Sequence, residues 1–170
     1  EAATFSYDTT RLPDAKPWTD KAFLNDCDNF QFAIIGDRTG GANVEGTFHL
    51  AVGQLNLLQP EFVVNAGDLI EGYSDDPEQI QAWWQEIDEF LEPLEMPFFF
   101  LPGNHDIFSD TAIKIWRERF GSERAYYHFL YKDVLFLMVN TEDPPKTVAA
   151  LQSDNPEMYQ RIAANYPAME

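Results

Sequence analysis

Apolar positions along the chain gather in three short runs, each closed by a glycine and a polar cluster, with stretches of helical spacing between them. Phe30 to Ile35 leads into Gly36-Asp37, Phe62 to Ala66 into Gly67-Asp68, and Met96 to Leu101 into Pro102-Gly103-Asn104-His105-Asp106. Runs of this length bounded by turn residues predict buried strands at about residues 30 to 36, 62 to 66 and 96 to 101. After the first, Phe48, Ala51, Val52, Leu55 and Leu58 mark one face of a helix that Pro60 closes. After the second, Asp76-Pro77 supplies an N-cap and first helical position, and Ile80, Trp83, Trp84, Ile87, Phe90 and Leu91 form the buried stripe. After the third, Ser109 caps a helix whose inner face is Ala112, Ile113, Trp116 and Phe120, ended by Gly121.

Strand and helix thus alternate three times, which predicts an α/β fold with parallel strands and right-handed crossovers. Ala125 to Tyr131 and Val134 to Val139 then read as a hairpin turning at Lys132-Asp133, where an antiparallel addition begins. Asn155-Pro156 is placed to start a final helix. Residues 1 to 29, with Pro13, Pro17 and many acids but no sustained period, read as an extended lead-in pinned by Trp18 and Phe23. The expected organisation is this lead-in followed by one domain over 30–170.

A length of 170 residues fits one domain with a sizeable core, and 45% hydrophobic residues support a globular fold. The net charge of −18, from 29 acids against 11 bases, argues against a nucleic-acid or anionic-membrane surface. Any phosphate must be held locally. The single Cys27 excludes an intramolecular disulfide, and its acidic neighbours disfavour a thiolate. No stretch approaches the roughly 20 apolar residues that span a bilayer. The chain starts at Glu1 without a methionine. Export after removal of a leader, to the periplasm or the medium, is the expectation, with a start inside a longer polypeptide as the alternative.

The chemistry lies where the three strands end, since ligands of open α/β sheets bind in the crevice outside the carboxyl ends of parallel strands. Two aspartates and an amide oxygen suit Mg²⁺ or Mn²⁺, and the imidazole of His105 widens the choice to Zn²⁺ or Fe. The constellation reads as metal-assisted hydrolysis.

Gly36-Asp37, Gly67-Asp68-Leu69-Ile70-Glu71-Gly72 and Gly103-Asn104-His105-Asp106 resemble, in order and separation, the first three motifs of the calcineurin-like metallophosphoesterases. The similarity covers roughly residues 30 to 140 and extends to Asn140-Thr141. It implies a sandwich of two packed sheets flanked by helices, and hydrolysis of small-molecule phosphoesters by a metal-bound hydroxide at a site with two divalent ions (Mn, Fe, Zn or Mg). By the same resemblance Asp37 would bind the first ion, Asp68 would bridge both and Asn104 would bind the second. His105 would protonate the leaving oxygen or stabilise the transferring phosphoryl group, with Asp106 orienting it.

The chain departs from the family pattern in two places. Asp37-Arg38-Thr39 has threonine where a histidine commonly stands, and a hydroxyl is a far weaker ligand; Arg38 is a candidate to grip a phosphate oxygen instead. Gly40-Gly41 is a candidate anion nest. The family's later histidine motifs are absent, so the domain reads as truncated before its second half, and only His49, His105 and His128 exist. Such a half leaves the second layer uncovered and the edge near Val134 to Val139 unpaired, which predicts association. Two rival readings follow: an inactive or metal-poor domain that retains the fold, and a one-metal phosphate-binding protein. The loop Glu71 to Asp76 reads as solvated and acidic, with Tyr73 a candidate to stack on an organic group of the substrate.

Overall fold

The computed structural model describes residues 4–12, 14–23, 29–39, 46–121, 125–142, 152–153 and 156–165. Cys27, the Gly40-Gly41 pair, Asp143 and Asn155 lie outside the described residues. Within them, strand β1 (Phe5–Tyr7) precedes three strand–helix units: β2 (Ala33–Ile35) with α1 (Thr47–Leu58), β3 (Val63–Asn65) with α2 (Pro77–Leu91), and β4 (Phe98–Phe99) with α3 (Asp110–Phe120). The hairpin β5 (Tyr127–Tyr131) and β6 (Val134–Met138) follows, then helix α4 (Pro156–Asn165).

The strands form two three-stranded sheets. One is parallel in the order β2-β3-β4, the other antiparallel in the order β1-β5-β6. Side-chain alternation along β4 explains how they stack. Phe98 and Phe100 join the core against the helices, with Val63, Trp84, Trp116 and Phe120. Phe99 points the other way, into the core between the sheets, with Phe62, Phe129 and Tyr131. The run of three phenylalanines is therefore apolar throughout because both faces of the parallel sheet are covered. Phe62 is the centre of the inter-sheet layer, with its ring against those of Phe23, Phe32, Phe99, Phe129, Tyr131 and Phe136.

The predicted caps close their helices. Asp76 accepts from Glu78 N at 2.9 Å, Ser109 accepts from Ala112 N at 3.1 Å, and Gly121 ends α3 at φ 69°. On α1 the outcome is narrower: Phe48, Val52 and Leu55 are buried, but Leu58, expected on the same face, is the last residue of the helix and 67% exposed. The N-terminal segment does more than cross the surface. Phe5–Tyr7 adds a strand beside β5, Trp18 bridges to Phe99, and Phe23 stacks on Tyr131 at 4.8 Å.

Both sheets end on the same side of the sandwich, where Phe32 beside β2 meets Phe136 of β6 edge-on at 5.2 Å. Among the described residues β6 pairs with β5 alone. Ile34, Leu135, Leu137 and Val139 stand 52–65% exposed along this open side and the outer sheet face. Among the described residues no helix is long and apolar enough to cross a membrane.

Candidate active site

The parallel register of β2, β3 and β4 brings their three carboxyl ends side by side. Beyond the strands the pairing continues, as Asp37 N donates to Gly67 O at 3.0 Å and Arg38 N to Asp68 O at 2.9 Å. Asn65, buried in β3, donates from Nδ2 to the same Gly67 carbonyl at 3.1 Å, so one carbonyl ties two loops. Asp37 and Asp68 both adopt left-handed backbone, φ 55° and 57°, a conformation aspartate tolerates better than most residues and one that turns the chain sharply at a strand end. Close approach of the neighbouring loop requires the adjoining glycines. A Cβ on Gly67 would lie 2.6 Å from Gly103 N, and one on Gly103 would overlap Asp68 Oδ1.

Asp68 Oδ1 accepts the backbone N–H of His105 at 3.0 Å, which joins the second and third motifs directly. The expected partnership of Asp106 with the imidazole is corrected. Asp106 is fully buried and spends both oxygens on main chain: Oδ2 accepts from Asp68 N (2.7 Å) and Gly103 N (2.8 Å), Oδ1 from Leu69 N (3.0 Å) and Ile70 N (3.1 Å). Its carboxyl is raised to about 6, chiefly by burial and also by the charge of Asp68, against the pull of the N–H donors. Asp106 is thus the knot between two loops rather than a group that touches a substrate.

The His105 ring is held instead by the Glu71 carbonyl, 2.6 Å from Nδ1. A carbonyl only accepts, so Nδ1 carries the proton in this contact and Nε2 is the other ring nitrogen. Asn104 Nδ2 donates to Tyr73 Oη at 2.8 Å. The loop after Asp68 is solvated as expected at Asp75 and Asp76, but Tyr73, 6% exposed, and Ser74 are buried beneath the site. Ser109 Oγ also donates to Ser74 O at 2.8 Å and fastens that loop to the start of α3. Thr39 turns its hydroxyl to Asp37 Oδ1 at 3.3 Å.

Arg38 is likewise corrected as a candidate phosphate ligand. Its side chain is 2% exposed and runs back toward α2, pairing with Glu86 and donating from Nη1 to Leu69 O at 2.8 Å. The guanidinium lies over Phe90 and Phe48, 5.1 and 5.9 Å from the ring centroids. Nη1 and Nη2 are committed to these partners while Nε takes no hydrogen bond among the described residues, so the guanidinium faces α2 rather than the strand ends. His49 is exposed on α1 near Phe90 and His128 is exposed on β5, so neither replaces a missing ligand. Sequence reasoning passed over Asn65, Glu71 and Ser74; a buried polar residue inside a strand was the one available signal, at Asn65.

Three adjacent strand ends therefore carry Asp37, Asp68, and the Asn104-His105 pair, the first two tied by main-chain hydrogen bonds and the third by the Asp68 and Asp106 carboxylates. A family model for calcineurin-like phosphoesterases matches residues 30–154, a span that contains all of them. The chain belongs to this family. Curated proteins and solved structures gave no match.

The α/β architecture, with one parallel and one antiparallel sheet, agrees with a calcineurin-like sandwich. Calcineurin-like phosphoesterases hydrolyse phosphoesters and in general bind divalent metal ions, and the donor set here suits such ions. Among the described residues, no three histidine, cysteine or carboxylate side chains converge, so the set is two carboxylates and an amide. With Asp68 Oδ1 bound to His105 N, and Asn104 Nδ2 to Tyr73, the oxygens Oδ2 of Asp68 and Oδ1 of Asn104 take no hydrogen bond among the described residues. These are hard oxygen donors at a partly open strand end, as Mg²⁺ or Mn²⁺ prefers.

Proposed function

We propose that this chain is a metal-dependent phosphoester hydrolase whose site is Asp37, Asp68, Asn104 and His105. The observation that carries the reading is the His105 N–H on Asp68 Oδ1 at 3.0 Å, which supports a shared site for the second and third motifs. Asp37 and Asp68 would hold a first divalent ion, and Asp68 and Asn104 a second. Such ions would supply charge neutralisation for the phosphoryl oxygens and an acidified water. His105, with Nδ1 committed to the Glu71 carbonyl, offers Nε2 to the leaving oxygen and gives up its proton as the alcohol departs. Asp106 serves through the loops it joins.

A single-ion site at Asp68 and Asn104 is the second reading, favoured by the Thr39 hydroxyl beside Asp37, where a stronger ligand is absent. Association through the exposed face of β6 belongs to the same proposal and is supported by the exposure of Leu135 and Leu137.

The test is Mn²⁺-dependent hydrolysis of an aryl phosphate monoester and diester by the parent chain, Asp68→Ala and His105→Ala, with bound metal counted. Turnover lost in both variants is the expected result. One ion and no turnover would replace the two-ion reading by the single-ion one, and no bound metal would overturn both.

A further inference from the structure

Tyr73 is the residue with the least ordinary placement near the site. Its φ is 53°, a left-handed conformation that bulky side chains rarely adopt and that persists where surroundings over-determine it. The preceding Gly72, at φ 62°, makes the turn possible, since a Cβ there would overlap the His105 carbonyl. The two residues pass the chain beneath His105 and insert the phenol into the core. There the ring meets His105 edge-on at 4.4 Å and Phe108 at 4.3 Å. The hydroxyl receives the Asn104 amide at 2.8 Å. One side chain therefore touches two members of the third motif, Asn104 and His105.

An asparagine amide has two unlike ends. Its oxygen can ligate a cation and its nitrogen cannot, so a metal-binding asparagine works only if something fixes which end faces inward. We propose that Tyr73 is a positioning residue that sets the Asn104 amide with Nδ2 on the buried phenol and Oδ1 toward the ligand position, while its ring holds the imidazole of His105. This rests on the reading of Asn104 as an oxygen donor to a divalent ion. A phenol oxygen can both accept and donate, so acceptance from Nδ2 also requires the phenol proton to point elsewhere. The ring contacts with His105 and Phe108 keep the oxygen in place for that arrangement.

The experiment compares the parent, Tyr73→Phe, Asn104→Asp and the double variant by calorimetric Mn²⁺ titration, with thermal melting of the metal-free proteins and the Asn104 side-chain amide resonances followed by NMR. Tyr73→Phe keeps the ring and removes only the hydroxyl. It is expected to melt close to the parent, shift the Asn104 amide resonances, and weaken Mn²⁺ binding by about 10–100-fold. A carboxylate has two equivalent oxygens and needs no orientation, so the penalty is expected to shrink in the Asn104→Asp background. Unchanged Mn²⁺ affinity in Tyr73→Phe, or an equal loss in both backgrounds, overturns the proposal while leaving the site reading intact. Failure of the parent itself to bind Mn²⁺ overturns the metal reading and this inference together.

Discussion

Asp106 Oδ2 lies 2.7 Å from the backbone nitrogen of Asp68, a residue 38 positions earlier in the chain. That contact, with three further N–H donors on the same carboxylate, makes a buried acid the scaffold of two loops that carry the site. Its removal strands several polar groups at once. Asp106→Ala is expected to destabilise the protein by about 2–4 kcal/mol and to abolish Mn²⁺ binding, since unpaired buried donors cost more than the hydrogen bond they lose. Urea unfolding with a parallel metal titration measures both, and a variant of parental stability would refute the role.

The same residue has a pH signature in the chelated protein. Unfolded, its carboxyl titrates near 3.8; folded, burial raises it to about 6. The native state therefore holds the proton more tightly, and the group's contribution to stability is complete below the unfolded value and lost as pH rises through the folded one. Relative to Asp106→Asn, the parent is expected to lose stability across that window, by at most about 1.4 kcal/mol per pH unit. A difference between the two that stays constant from pH 4 to 7 would contradict this.

Two glycines separate close packing from helix propensity. Gly103→Ala drives a methyl into Asp68 Oδ1 and is expected to weaken metal binding and turnover together. Gly53, in the interior of α1, has nothing within 4 Å of an added Cβ, so Gly53→Ala is expected to stabilise by about 0.5–1 kcal/mol. Denaturation midpoints and activity of the two variants give opposite patterns if the packing is as described.

Arg38 predicts a stability effect without a substrate effect. Glu86→Ala leaves a guanidinium that is 2% exposed without its carboxylate. Because Glu86 itself is 40% exposed, water screens part of the loss and the expected cost is about 1–3 kcal/mol. KM for an aryl phosphate should stay near the parent value; a large rise in KM with unchanged stability would return Arg38 to the substrate.

The open side of the sandwich makes a solution prediction. Leu137 is 65% exposed on edge strand β6, next to the 52% exposed Leu135. The parent chain is expected to associate with rising concentration, and Leu137→Glu to reduce this without lowering the melting temperature. Light scattering showing a monomer at all concentrations for both proteins would dismiss the association.

The sequence by itself determined the βα repeats, the caps at Asp76, Ser109 and Gly121, and the arrival of Asp37, Asp68 and Asn104-His105 at neighbouring strand ends. These follow from local rules: side-chain periods, capping chemistry and the convergence of parallel strand ends. Only the tertiary structure decided which way each polar side chain turned. Arg38 went to Glu86, 48 residues on, because α2 offered a carboxylate and two flanking rings offered π-faces. Asp106 went to the loop after β3 because that loop's unpaired N–H groups had to be satisfied in a place water does not reach. Tyr73 went under the site because a left-handed turn at Gly72 led it there, and Phe5–Tyr7 became a strand because β5 had an edge to fill. Sequence spacing encodes the period of an element; it does not encode the partner that a buried polar group finds across the fold.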